Sequence, residues 1–333
     1  MNVGRIMRQP GVRGRAAGAM VGAAIGDALG MPTEFVQRKL FVEQHHGKIT
    51  GFTRASPGHP CSHLKPAQYT DDTQQLVILA ESLLESKGLL LEDFGGRLAE
   101  WGRRCKFEPG FDRFAGFTSL TAAERLGRGV SPWRSGSRKT LSCGSAMRVA
   151  PIGIYYGEFG EALEMARRSS IPTHDSEIAK DAAAVVAGII NAIVHRSAGA
   201  LEAVGAAAGG IRNRLLAGQI DWALRMRKRS PDFVARKLGT GSRADEAVAY
   251  AVYLFLHSPP DFEQTVLNAA NVDSGDSDTI GCIAGAISGA YNGFEGIPGR
   301  FLEVEDAKYL RKLGEKLAAR HSGLLSKLWA FIS

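Results

Sequence analysis

Two segments of this chain carry glycine at every fourth position. Gly18, Gly22, Gly26 and Gly30 recur through "GAMVGAAIGDALG", and Gly281, Gly285, Gly289 and Gly293 through "GCIAGAISGAYNG". On a helix, a spacing of four lines such residues up as one nearly continuous stripe. Each glycine costs a helix about 1 kcal/mol relative to alanine. A stripe of four is therefore expected where a second backbone approaches closely, and both helices are expected to be central and tightly packed.

The remaining apolar pattern also has helical period. "QQLVILAESLLESKGLLLEDFGGRLAEWGRRC" predicts two amphipathic helices broken near Lys87-Gly88. "EIAKDAAAVVAGIINAIVHRSAGALEAVGAAAGGI" predicts two more, and "ADEAVAYAVYLFLHSPPDFEQTVLNAANV" a pair hinged at Pro259-Pro260. Alternating strand patterns are almost absent. The expected fold is all-α, one compact domain over residues 14–333 behind a basic tail at 1–13. Residues 36–68 and 128–145 read as long surface loops, which in compact domains often carry function.

Of 333 residues, 44% are hydrophobic and 23% charged, enough for a sizeable core without staples. Cys61, Cys105, Cys143 and Cys282 lie far apart with no CxxC pair, which argues against zinc and against a disulfide framework. A reduced, cytoplasmic setting is expected. Arg5, Arg8, Arg13 and Arg15 before "AAGAMVGAAIG" imitate a signal peptide, but the run is glycine-rich and broken by Asp27, so a buried helix is expected. No segment reaches the roughly 18 uninterrupted apolar residues of a membrane helix, and no membrane partner is expected. Net charge is +7, and nine Lys/Arg between Arg212 and Arg243 meet only Asp221 and Asp232. That stretch is expected to be a solvated basic face, able to steer an anionic ligand, with contact to nucleic acid as the alternative.

Oxygen side chains crowd at two predicted helix starts. Thr70, Asp71 and Asp72 precede one helix, and Asp276, Asp278 and Thr279 open the second glycine helix; Asp27 and Glu34 lie beside the first. Capping would explain one such side chain per helix. Several converging carboxylates repel one another unless cations hold them. Carboxylate and hydroxyl oxygens suit Mg²⁺, Mn²⁺ or Ca²⁺. An EF-hand starting at Asp276 fails, because Ile287 stands where the bidentate glutamate belongs.

The ordered set "GAMVGAAIGDALGMPTE", "YTDDT", "GSAMRVAPIG", "THDSEIA" and "GDSDTIGCIAGAISGAYNGFEGIP" resembles the ADP-ribosylglycohydrolases, over residues 16–298. The resemblance implies an orthogonal multi-helix bundle with two Mg²⁺ (or Mn²⁺) ions in a cleft. It implies metal ligation by Thr70, Asp71, Asp72, Asp276, Asp278 and Thr279, with Asp278 bridging. It gives Glu34 a place at the metal or at the substrate ribose, with Glu34, Asp71 and Asp278 as the catalytic set. Ser142, Gly144 and Ser145 would lie along an ADP-ribose diphosphate, near His174 and the "GTG" loop of Gly239 and Gly241. Two departures stand out: Cys143 where relatives often carry asparagine, and Phe114 where many bacterial members carry aspartate, Asp112 lying two residues earlier. Phe301 stands near a frequent family tryptophan and is expected to serve packing.

The implied reaction is metal-dependent hydrolysis of the glycosidic bond between ADP-ribose and an acceptor. The expected partner is an ADP-ribosylated macromolecule, protein first, with nucleic-acid-linked ADP-ribose and O-acetyl-ADP-ribose as alternatives. The competing reading is a catalytically silent ADP-ribose-binding protein. The oligomeric state is left open.

Overall fold

The computed structural model describes residues 10–45 and 47–332, so most of the basic tail expected at 1–13 lies outside the described residues. Among them the chain is helical and forms no strand. The helices in chain order are α1 Val12–Gly30, α2 Arg38–His45, α3 Asp71–Glu85, α4 Leu91–Phe107 and α5 Phe117–Gly127. They continue with α6 Pro132–Ser135, α7 Ala150–Tyr155, α8 Phe159–Ser170, α9 Glu177–Arg196, α10 Ala200–Ala208 and α11 Arg214–Met226. The last are α12 Pro231–Leu238, α13 Ala244–His257, α14 Phe262–Ala270, α15 Ser277–Asn292 and α16 Ala307–Ile332. The all-α expectation holds. So do the breaks near Lys87-Gly88, between α3 and α4, and at Pro259-Pro260, between α13 and α14.

The two glycine helices pack against each other. A methyl group added at Gly18 would meet the Gly289 carbonyl oxygen at 2.1 Å, one at Gly22 that of Gly285 at 2.3 Å, and one at Gly26 that of Gly281 at 1.8 Å. As the number falls on one helix it rises on the other, so α1 and α15 run antiparallel, backbone on backbone. At the end of the stripe, Gly30 abuts Ser277, the first residue of α15. Every residue of α1 from Arg15 to Gly30 is buried, which accounts for a helix with little amphipathic character. Gly314 of α16 opens a further close approach, to the Ala16 carbonyl.

Around this pair most of the remaining helices bury apolar residues in one core. The helix α9 is long and apolar enough by composition to cross a membrane, but 89% of its apolar window is buried inside the molecule. The 36–68 segment is less irregular than its sequence suggests, since α2 lies within it. Eight residues with two lysine or arginine side chains at their start carry too short a pattern to stand out.

Candidate metal centre and its cavity

The end of α1 fixes the start of two other helices. Asp27, fully buried, accepts hydrogen bonds from the backbone N–H of Thr70 at 2.8 Å and of Thr73 at 3.0 Å, and from the Thr73 hydroxyl at 2.6 Å. It thereby anchors the first turn of α3, where Asp71 and Asp72 sit. Beyond Gly30 the chain turns through Met31–Thr33, and the Thr33 hydroxyl lies 2.7 Å from the Ala270 carbonyl and 3.0 Å from the Ser277 hydroxyl. The Ser277 hydroxyl donates to the Gly30 carbonyl at 2.8 Å. The glycine stripe and these bonds together bring Glu34, α3 and α15 to one point.

At that point Glu34, Asp276 and Asp278 each offer an oxygen within 4.8 Å of the other two. The Thr70 hydroxyl lies 3.3 Å from an Asp278 oxygen. Capping accounts for one side chain of six: the Thr70 hydroxyl accepts from the Asp72 N–H at 3.4 Å, whereas Asp276, at the N-cap of α15, caps nothing with its carboxylate. Glu34 Oε2 and Asp72 Oδ2 are buried oxygens without a hydrogen-bond partner. Buried carboxylate oxygens left bare in a native fold call for a missing partner such as an ion. The donors are all hard oxygens, so the set fits Mg²⁺ or Mn²⁺.

Electrostatics agree. Burial, and next the charge of Asp278, hold the Glu34, Asp71 and Asp72 carboxyls well above the ordinary range. Asp278 is raised by burial and then by Asp276. Burial also raises Asp276, against hydrogen bonds from Asp278, Thr279 and Cys143 that lower it. Asp27 is pushed up to about 7 by burial and then by Asp278.

The cluster lies in the wall of a cavity of about 540 Å³. Glu34, Asp71, Asp72, Asp276, Asp278 and Thr279 face Ser142, Cys143, Gly144 and His174 across it, with Phe35, Phe114 and Phe117 among the lining. Gly144 has a steric reason: a methyl group there would stand 2.8 Å from Cε1 and Nε2 of the His174 ring. His174 itself is buried, its Nε2 3.1 Å from the Ser142 hydroxyl. Cys143 points its thiol at Asp276, Sγ to Oδ2 3.6 Å, and burial raises its pKa well above the ordinary value.

Three residues expected at the substrate do not line the cavity. The Ser145 hydroxyl donates instead to the Ala179 carbonyl at 3.2 Å, tying its loop to α9. Gly239, with φ +81°, leaves α12 where any side chain would run into Glu246, and the Gly241 N–H donates to Glu246. This loop works through its middle residue: the Thr240 carbonyl accepts from the Asp276 N–H at 2.7 Å, so it positions a candidate ligand. Thr70 is likewise outside the lining, one layer behind Asp278. Of the basic stretch, Ser242 reaches the cavity, while Arg225 pairs with Asp221 and Asp232 with Arg38. Phe301 is buried edge-to-face against Phe52, the packing role expected of it.

The roles of two contributors escaped the sequence reading. Asp27 was visible as an acid inside an apolar helix, but its partners are more than forty residues away. Arg148 is fully buried and donates to Gln75, which in turn donates to Asp71 at 2.8 Å. An arginine inside the apolar "SAMRVAPIGIYY" is the one signal that marks it.

Comparison with known proteins agrees with this geometry. The ADP-ribosylglycohydrolase family model matches residues 8–324. An Archaeoglobus fulgidus protein described as uncharacterized is 35% identical, over 91% of this chain and 95% of its own. The ADP-ribosyl-[dinitrogen reductase] glycohydrolase of Rhodospirillum rubrum is 27% identical, over 94% and 97%. A solved structure described as an ADP-ribosylglycohydrolase-related protein complex superposes with TM-score 0.73 at 27% identity, over 93% of this chain and 98% of that one. With the glycine-packed helices, the acidic centre and a match of this extent, the chain belongs to the ADP-ribosylglycohydrolase family.

Proposed function

We propose that this protein hydrolyses the glycosidic bond between ADP-ribose and a protein side chain, using two Mg²⁺ or Mn²⁺ ions. The observation that supports it most is the pair of bare buried oxygens, Glu34 Oε2 and Asp72 Oδ2, beside Asp276 and Asp278 in a cavity whose other wall offers Ser142, Gly144 and His174. One wall suits divalent cations and the other a diphosphate. The glycohydrolase acting on dinitrogen reductase supports a protein acceptor.

In this reading Asp71, Asp72, Asp276, Asp278, Thr70 and Thr279 hold the ions, with Asp278 between the two groups. The bound ions would supply Lewis-acid polarisation and lower the pKa of a water molecule. Glu34, beside Asp276 and Asp278, takes a proton from the attacking water and returns it to the departing acceptor as the glycosidic bond breaks. Ser142, the Gly144 backbone and His174 hold the diphosphate, so the ribose is presented to the acidic wall in one orientation.

The test is release of free ADP-ribose from arginine-, serine- and nucleic-acid-linked substrates, with Mg²⁺, Mn²⁺ or EDTA. Metal-dependent release from a protein linkage is expected, with Glu34→Gln lowering kcat by roughly 10²–10⁴-fold, the range of general acid–base catalysis. Tight ADP-ribose binding without release from any linkage would assign the chain to binding rather than hydrolysis.

A further inference from the structure

Arg148 is fully buried, and among the described residues its hydrogen bonds go to Gln75, Thr173 and the Ser169 carbonyl rather than to a carboxylate. Its Nη1 donates to Gln75 Oε1, and its Nη2 donates to the Thr173 hydroxyl at 2.6 Å. The charge of Asp71 favours its protonation against the opposing effect of burial, and the Phe94 ring lies 5.1 Å from the guanidinium carbon. A desolvated cation is costly to keep, and this one sits directly behind both walls of the cavity.

A guanidinium can only donate, so it fixes the direction of every hydrogen bond beyond it. On one side, the Gln75 oxygen must face Arg148, which turns the amide N–H toward Asp71. On the other side, Thr173 uses one lone pair for Arg148, and Nδ1 of His174 lies 2.7 Å from the same oxygen. If Nδ1 carried the proton, both contacts would point at Thr173 Oγ1, and the Thr173 hydroxyl proton would be buried with no acceptor. With Nδ1 unprotonated, Thr173 donates to it, Nε2–H donates to the Ser142 oxygen at 3.1 Å, and Ser142 is left to donate outward. The Thr140 oxygen, 2.9 Å away, is an acceptor for that hydroxyl, and an anionic ligand would compete with it for the proton. Burial and the Arg148 charge keep the ring neutral, its pKa lowered to about 3.

We infer that Arg148, acting through Thr173, is a positioning residue that locks His174 as the neutral Nε2–H tautomer and so makes the Ser142 edge of the cavity a hydrogen-bond donor to an anionic ligand. Through Gln75 the same guanidinium orients Asp71, so one buried cation polarises both walls. The anionic ligand rests on the proposed function and is the diphosphate of ADP-ribose, whereas the tautomer assignment stands on the hydrogen bonds alone.

The experiment is ¹⁵N NMR of the full chain labelled on histidine, with His174→Gln to assign the resonance, alongside ADP-ribose titration calorimetry. Wild type is expected to show His174 with Nε2 protonated and Nδ1 bare but hydrogen-bonded at pH 7. Thr173→Val should move Nδ1 to the position of an unbonded nitrogen, and Thr173→Ser should restore it. Arg148→Met should add the Nδ1–H form and weaken ADP-ribose binding roughly tenfold, about the loss of one charged hydrogen bond. Arg148→Lys, still donor-only, should recover part of both. An Nδ1–H or charged His174 in wild type overturns the inference, as does an Nδ1 signal unmoved by Thr173→Val. A wild type with the expected tautomer but no measurable ADP-ribose affinity instead rejects the proposed function.

Discussion

Asp278 has the most to lose among the acidic residues. It is buried, lies near Thr70 on one side and Asp276 on the other, and its charge raises the pKa of Asp27, Glu34, Asp71 and Asp72. Removing its charge alone should therefore disable cation binding while relieving repulsion in the metal-free protein. Asp278→Asn is expected to melt at or above the wild-type temperature in EDTA and to gain almost nothing from Mg²⁺. Thermal denaturation with and without the ion checks this, and an undiminished Mg²⁺ gain would argue against its place between the two groups. Gly144→Ala addresses the opposite wall: its methyl group would press on the His174 ring, weakening ADP-ribose binding with little effect on Mg²⁺ binding. Both walls were legible in the sequence because their residues come in tight local groups. The residues behind them were not, since the bonds from Arg148 to Gln75 and from Asp27 to Thr70 span 73 and 43 positions. Local spacing says nothing about partners brought together by folding.

Among the helices, α1 and α15 set the geometry on which the centre depends. The glycine period announced their contact because a row of costly glycines has few other uses inside a helix. It did not announce the partner, the antiparallel sense or the register, which pairs Gly26 with Gly281 and Gly30 with Ser277. Nor did sequence resolve α2 or α6, whose short spans carry little periodicity. At Gly26 a methyl group would stand 1.8 Å from a backbone carbonyl oxygen that flexible side chains cannot shield. Gly26→Ala is thus expected to cost about 3 kcal/mol or more, the upper range for overpacking, despite the better helix propensity of alanine. Gly218, in α11, has nothing within 4 Å, and Gly218→Ala should stabilise by up to about 1 kcal/mol. Urea unfolding of the two variants separates the effects, and a loss below about 1 kcal/mol at Gly26 would contradict the backbone contact.

For the whole molecule, the acidic centre couples stability to pH and, on the proposed metal binding, to divalent cations. Asp27 titrates near 7 in the folded protein against an ordinary value of 3.8, so the folded state retains a proton that the unfolded chain releases. That stabilisation is complete below about pH 4 and is lost as the pH climbs through 7. Glu34, Asp71, Asp72, Asp276 and Asp278 are raised in the same direction. His174 opposes them: its folded value of about 3 against 6.5 unfolded removes stability as the pH falls from 6.5 toward 3. Six carboxyls outweigh one imidazole, so the metal-free protein should lose stability from pH 5.5 to pH 8. On the proposed metal binding, divalent cations would replace the protons, and so should bind more tightly as the pH rises and release protons on binding. At a hundredfold excess over Kd, an ion adds about 2.7 kcal/mol, roughly 4 °C for a chain of this size. The Mg²⁺-induced rise in Tm should accordingly be several degrees larger at pH 8 than at pH 5.5. Calorimetry in two buffers of different ionisation enthalpy should count protons released at pH 6. An equal Tm rise at both pH values, with no proton release, would mean that the carboxyls are already ionised without metal, and that the repulsion at this centre is relieved some other way.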